Sequence, residues 1–306
     1  MIRRLVILLS VAFASPAMAQ TTKPAPIVDD AFAAYQRGHF LTALNEASGL
    51  AAKNDPQAIT LMAEIYANGL GVGRDDAKAA QLYQRAADLG DAQAMFALAI
   101  FRFAGRGGPP DQAAGVKLFE AATKGGNLLA SYNLGLLYLR GQGVKEDFSR
   151  AAQLFEASAR GGVPEAQFAL ATLYREGRGV PKDEKRAIQL MQQAAAAGNL
   201  DAMVEFAIAQ FNGTETPKNE AAAAKMLLSA ARRGSPIAQN RMARLLSSGR
   251  GVPADPVQAM KWHIVAKADG RGDPELDAYM SKQKPEDREA AEKAARLWLA
   301  SASPNR

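Results

Sequence analysis

The sequence predicts an all-α fold, a right-handed α-solenoid of stacked helical hairpins, and three observations carry that prediction. About a fifth of the 306 residues are Ala, alongside 26 Gly and no Cys, a composition suited to close-packed helices with frequent breaks. Shifting the chain against itself by 36 residues superposes six blocks that start at Asp55, Asp91, Asn127, Val163, Asn199 and Ser235 and run without a gap to Gly270; a period of this length marks a repeat architecture. Within each block, glycines and capping residues recur where helices have to stop and start.

Composition also excludes several classes of function. With 48% apolar residues the chain can bury a core. The absence of Cys removes disulfides, thiolate metal sites and a cysteine nucleophile. Lys and Arg number 37 against 31 Asp and Glu, and the excess is spread along the chain. No basic cluster points to nucleic acid.

The elements follow in order. Arg3 and Arg4 precede an apolar stretch from Leu5 to Phe13 and a small-x-small triplet, Ala17-Met18-Ala19. This pattern predicts a signal peptide over residues 1–19, cleaved after Ala19, and therefore a periplasmic or secreted protein. The apolar stretch is too short to cross a bilayer, and no lipid-bearing cysteine follows, so no stable membrane anchor is expected. Residues 20–30, with Pro24 and Pro26, read as a flexible leader. Residues 31–54 read as an N-terminal capping hairpin broken at Gly38, with Ala43, Leu44, Ala47, Leu50 and Ala51 as its apolar stripe.

Each block of residues 55–270 then spells one hairpin. Asp, Asn or Ser opens five of the six, and Pro56, Pro164 and Pro236 occupy first-turn positions; a polar N-cap followed by Pro starts a helix. The fourth residue is always Ala. The fifteenth is always Gly, from Gly69 to Gly249, placed to end the first helix in a left-handed conformation. Asp75, Asp111, Asp147, Asp183, Asn219 and Asp255 then cap a second helix. In the fourth block its buried face is Ala187, Leu190, Met191 and Ala194, the spacing of an amphipathic helix. A closing Gly, from Gly90 to Gly270, ends it. One such hairpin is too small to stand alone, so the blocks must stack. Residues 271–306 are expected to form C-terminal capping helices, including a charged amphipathic helix from Pro285 to Ala300 that carries Leu297 and Trp298.

Blocks such as Ala166-Gln-Phe-Ala-Leu-Ala-Thr-Leu-Tyr-Arg-Glu-Gly-Arg-Gly-Val-Pro-Lys-Asp closely resemble the Sel-like repeats (SLR) of the tetratricopeptide superfamily. The resemblance covers residues 55–270. It implies an interaction scaffold, and the secreted bacterial members that the chain resembles include regulators of membrane sensor kinases and adaptors for exopolysaccharide or cell-wall assembly. A cysteine-rich secreted branch has been linked to β-lactam binding, and a chain without Cys departs from it. Two blocks depart from the common pattern. The second reads Gly105-Arg-Gly-Gly-Pro-Pro-Asp111; the fifth reads Gly213-Thr-Glu-Thr-Pro217 and carries Glu205 and Gln210 at unusual positions. A local kink, a partner contact or drift in a tolerant loop would each account for this.

No catalytic constellation emerges, and neither an enzyme nor a cofactor or metal is expected. His39 and His263, the only histidines, lie far apart and read as packing or surface residues. The recurring aspartates are caps, and Gly-x-Gly-Val is a turn that follows a helix. Stacking as in tetratricopeptide repeats would put the first helix of each block on a concave side. The partner-binding groove is then expected at Phe96, Ile100, Phe103, Tyr132, Leu136, Leu139, Phe168, Ile208 and Phe211, an apolar stripe suited to a protein partner in the cell envelope. The alternative for the sixth-position residues Phe96, Tyr132 and Phe168 is burial between adjacent repeats. An anionic glycan, held by a rim of Arg102, Arg140, Arg175 and Arg244, is the second ligand class. A glycan hydrolase is the third reading and needs carboxylates such as Glu165, Asp201 and Glu205 clustered within about 10 Å.

Overall fold

A computed structural model of the chain describes residues 26–301. The expected signal peptide, the first part of the leader and residues 302–306 lie outside the described residues. The chain divides into two compact units, the first ending at Gly161 and the second beginning at Gly162. Among the described residues all regular structure is helical, and no helix is long and apolar enough to cross a membrane.

The first unit opens with α1 (Pro26–Gln36) and α2 (Phe40–Ala51). Helix α1 takes in residues 26–30, which the sequence assigns to the leader; Pro26 at its first position suits a helix start, so the proline there begins an element. Gly38, at φ +79°, turns the chain between the two helices. Three hairpins follow: α3 (Pro56–Asn68) with α4 (Asp76–Asp88), α5 (Ala92–Ala104) with α6 (Gln112–Lys124), and α7 (Leu128–Arg140) with α8 (Phe148–Arg160). Each helix packs on its neighbours in sequence order, so the unit is a stacked α-solenoid.

The second unit repeats the scheme with α9 (Pro164–Glu176) and α10 (Glu184–Ala196), α11 (Leu200–Asn212) and α12 (Glu220–Arg232), and α13 (Pro236–Ser248) and α14 (Pro256–Ala268). It closes with α15 (Pro274–Ser281) and α16 (Pro285–Ser301), the latter laid along α14. There Trp298 meets Trp262 edge to face with centroids 5.0 Å apart, while Leu297 is exposed.

The punctuation read from the sequence is the punctuation of the backbone. The first helix of every repeat ends on its fifteenth-position Gly at φ between 64° and 73°. Asp75, Asp111, Asp147, Asp183, Asn219 and Asp255 accept from the backbone N–H three residues on at 2.8–2.9 Å, each cap contributing about 1 kcal/mol. Val163 makes no such bond, and Pro164 alone marks that start. The recurrent Ala of each block is at most 1% exposed, because a larger side chain would force the stacked helices apart. Gly135 has the same cause: a Cβ there would sit 2.6 Å from the Phe155 ring.

The irregular fifth block forms the same pair of 13-residue helices as the others, α11 and α12. Glu215 adopts φ +61° at the loop position where the other repeats have Gly71, Gly107, Gly143, Gly179 and Gly251. The turn is kept, and a non-glycine residue bears a left-handed conformation that costs roughly 1–2 kcal/mol.

Candidate functional site

The expected groove residues divide in two. Phe96, Ile100, Tyr132, Leu136 and Leu139 are buried, each no more than 6% exposed. Phe96, Tyr132, Leu136 and Leu139 are core residues, which corrects their assignment to a groove, while Ile100, though buried, forms part of a cleft wall. The cause is packing across each hairpin: Phe96 meets Phe119 with centroids 5.9 Å apart, and Tyr132 meets Phe155 at 5.8 Å. Phe96 also belongs to a cluster that takes in Ala130, Leu134 and Leu137 of the following repeat. The remaining four, Phe103, Phe168, Ile208 and Phe211, are half-buried. Phe168 packs against the core of the second unit.

Phe103 and Phe211 each open a cleft. Both are the thirteenth residue of their block, and they lie 108 residues, or three repeats, apart. The cleft of the first unit, about 230 Å³, is lined by Ile100, Phe103, Phe119, Leu137, Asn133 and the amide side chains of Gln112 and Gln142. The cleft of the second unit is wider, about 560 Å³, and its wall includes Ile208, Phe211, Leu227, Leu245, Arg241, Arg244, Arg250 and Tyr279. Residue for residue, Ile208, Phe211, Leu227, Arg241, Leu245 and Arg250 stand where Ile100, Phe103, Phe119, Asn133, Leu137 and Gln142 stand three repeats earlier.

A pairing rule explains both clefts. The thirteenth residue of one repeat faces the seventh residue of the next, 30 positions on. At the junction of the fourth and fifth repeats the pair is Arg175 and Glu205, joined as an ion pair. Glu205, unusual in its block, is thus the acceptor for an arginine one repeat back. At the junctions of the second with the third repeat and of the fifth with the sixth, the same two positions hold Phe103 and Asn133, and Phe211 and Arg241, each pair lining one cleft. A second pair, the sixteenth residue and the twenty-second of the preceding repeat, runs beside it. Arg106 holds Asp76 at 2.6 Å and Arg250 holds Glu220 at 3.0 Å, whereas in the first unit's cleft the same two places carry Gln142 and Gln112.

The two clefts therefore differ in charge. No ionisable side chain lines the first. In the second, the Arg250 guanidinium lies 4.6 Å above the Phe211 ring. Arg244 binds Asp273 through two bonds of 2.6 and 3.0 Å and Glu275 at 2.8 Å. Burial alone would raise the Asp273 carboxyl, but Arg244 and Asn240 outweigh it and hold it below the usual carboxylate range. Two members of the expected arginine rim, Arg175 and Arg244, are thus committed to carboxylates of the chain itself.

The residues weighed for hydrolysis offer no paired acid and base. Glu205 is bound to Arg175, Asp201 is exposed in the first turn of α11, and Glu165 sits in the first turn of α9. His39 is exposed. His263 is buried with Nε2 2.8 Å from Asp277 Oδ1, which also accepts from Lys267 at 2.7 Å. Among the described residues no group of three His, Asp or Glu side chains could hold a metal ion. Asn133, Gln112, Gln142 and Arg241 lie outside the residues selected from the sequence; the signal for them is the 30-residue pairing, which shows only when blocks are compared in adjacent pairs.

Comparison with known proteins agrees with this architecture. A Sel1 repeat protein from Oxalobacter formigenes superposes with a TM-score of 0.73 at 27% identity, over 79% of this chain and 99% of its own. A protective antigen of uropathogenic Escherichia coli with an SLR fold superposes with a TM-score of 0.60 at 24% identity, over 91% of this chain and 68% of its own. No curated protein matches the sequence. Proteins built from such repeats are generally scaffolds for protein–protein interaction. The Sel1 repeat model matches residues 56–91, 92–127, 128–163, 164–199, 200–235 and 236–270, and on that evidence the chain belongs to the Sel1 repeat family.

Proposed function

We propose that the protein is a non-enzymatic scaffold of the bacterial cell envelope that docks a partner protein through the clefts at Phe103 and Phe211. The observation that carries this reading is the equivalent place the two residues hold. Phe96 and Tyr132 are consumed by packing, whereas Phe103 and Phe211 stay half-buried and line open clefts at the same position of their repeats. A cleft with an apolar wall and a few placed polar groups is the usual form of a binding site, and half-exposed aromatics are the usual anchors of a protein interface.

The envelope location rests on the Arg3-Arg4 and Ala17-Met18-Ala19 pattern of the N-terminal segment. A regulator of a membrane sensor kinase and an adaptor for exopolysaccharide or cell-wall assembly both fit it. The anionic-glycan reading draws its support from Arg241, exposed on the wall of the second cleft.

In-cell crosslinking with affinity capture tests the reading, comparing the wild type with a Phe103→Ser, Phe211→Ser double variant whose helicity has been verified by circular dichroism. The expected result is one envelope protein enriched by the wild type and lost by the folded variant. Identical captures from both would overturn it, and a captured glycan whose retention falls steeply with salt would favour the second ligand class.

A further inference from the structure

We propose that the cleft of the first unit is a socket for a tryptophan or tyrosine side chain of the partner, that is, for one aromatic ring bearing a neutral N–H or O–H donor. The proposal rests on the docking role given to this cleft above and adds the chemistry of what enters it.

The carrying observation is an orphaned acceptor. Asn133 is 1% exposed. Its Nδ2 donates to the Leu129 carbonyl at 2.8 Å, yet its Oδ1 has no hydrogen-bond partner although the residue lines the cleft. A buried amide oxygen left in that state costs about 1–3 kcal/mol, so a native acceptor of this kind calls for a donor. Another junction of the same protein shows where such a donor belongs: between the fourth and fifth repeats, the seventh-position side chain Glu205 accepts from Arg175. In the first unit Phe103 replaces that arginine and cannot donate, so the acceptor is kept while the internal donor is missing.

The walls select the rest of the ligand. Ile100, Phe103, Phe119 and Leu137 are apolar, and Phe103 already stacks on Phe119 with centroids 5.7 Å apart and planes at 29°; an entering ring extends that stack. A volume of about 230 Å³ suits one such ring, since a cavity of about 150 Å³ already accepts benzene. No carboxylate lines the cleft, so an ammonium or guanidinium would lose its hydration with no countercharge to replace it. An aliphatic or donor-free aromatic group would fill the space and leave the amide oxygen bare.

The test uses the isotope-labelled mature chain and two matched probes, N-acetyl-tryptophanamide and its benzothienyl analogue, in which sulfur replaces the ring N–H. Titrations are followed through the methyl resonances of Ile100 and Leu137. The expected result is shifts at both methyls and an affinity about tenfold higher for the indole, with Asn133→Leu binding the two probes equally. Should that variant fail to fold, the wild type decides alone, through the affinity ratio and Overhauser contacts from the indole ring to Phe119. Equal affinities in the wild type, an undiminished preference in folded Asn133→Leu, equal binding of N-acetyl-argininamide, or a resident water on Asn133 that no probe displaces would each overturn the proposal. If the Phe103→Ser, Phe211→Ser variant loses its crosslinked partner while the probes show no preference, the docking role stands and this inference alone falls.

Discussion

The two clefts are built from the same scaffold positions, and one is neutral where the other is charged. In the first unit the facing pair is Phe103 and Asn133, with Gln112 and Gln142 beside it, and nothing in the wall is charged. In the second the corresponding places hold Phe211, Arg241, Glu220 and Arg250. A third junction, closed by Arg175 and Glu205, shows the other outcome of the same geometry. At these three junctions the character of the wall follows the side chains at four positions. The hairpins that display them are otherwise held nearly constant by their Ala and Gly positions.

The units also differ in how stability should respond to pH, and this is the largest contrast to test. In the first unit Glu64 is buried and accepts from the Tyr35 hydroxyl at 2.9 Å. Burial pushes its carboxyl up to about 7, with the Tyr35 bond opposing. A folded-state value above the unfolded one makes the native state bind the extra proton, so this contribution is present in full below about pH 4.5 and is lost as the pH rises to 7. The loss should reach about 3 kcal/mol, localised to α1 and α3 in native-state hydrogen exchange, and Glu64→Gln should flatten it. In the second unit Asp273 is displaced in the other direction, as Asp76 is in the first through its bonds to Arg74 and Arg106, so both units lose stability on acidification below about pH 4 and the contrast lies above it. Equal pH profiles for the two units between about pH 4.5 and 7 would break the comparison.

Next in size is the loop position that only one repeat fills with a side chain. A Cβ on Gly107 would meet the Asp76 carbonyl at 2.4 Å, at φ +70°, so Gly107→Ala should cost more than about 2 kcal/mol in denaturant unfolding. Glu215→Gly, the reverse change in the second unit, should stabilise by about 1 kcal/mol, less the added freedom of the unfolded chain. A destabilising Glu215→Gly would mean that the Glu215 side chain makes a compensating contact.

Smaller effects separate packing from binding. Arg175→Ala removes a half-exposed ion pair and should change stability by no more than about 1 kcal/mol. Arg175→Phe with Glu205→Asn should open the closed junction, detectable as a new site for the indole probe. Phe103→Arg with Asn133→Glu should close the first cleft, abolishing partner capture with little change in melting temperature. A double exchange that alters stability strongly and leaves capture intact would show that these pairs serve packing alone.

Much of the fold is legible in the sequence because its helix boundaries are set locally. A Gly that must take positive φ, an Asp that must accept from a first-turn N–H and an Ala that must admit a neighbouring backbone are each fixed by a handful of atoms nearby, and they recur every 36 residues. Exposure is not local in this sense. Tyr132 and Phe103 look equally available in a helical repeat, and each meets a phenylalanine across its hairpin, Phe155 and Phe119, yet Tyr132 is buried while Phe103 keeps one side open on a cleft that it shares with Asn133. Glu205 looked anomalous within its own block and becomes ordinary beside Arg175. At the N-terminal edge, Pro26 reads as a leader residue by composition and as a helix start by position, and position decided.

The facing pair also bears on how such a protein could diversify. Each junction behaves like a two-letter word, with one letter supplied by each of two successive modules, and the meaning belongs to neither module alone. A single-base change rewrites one word without touching the grammar of caps and turns that keeps the array legible to itself. Inserting or excising a whole 36-residue module leaves every hairpin intact yet places old letters in new combinations, so that a lineage could acquire or silence a docking socket by shuffling modules, with no new side chain invented.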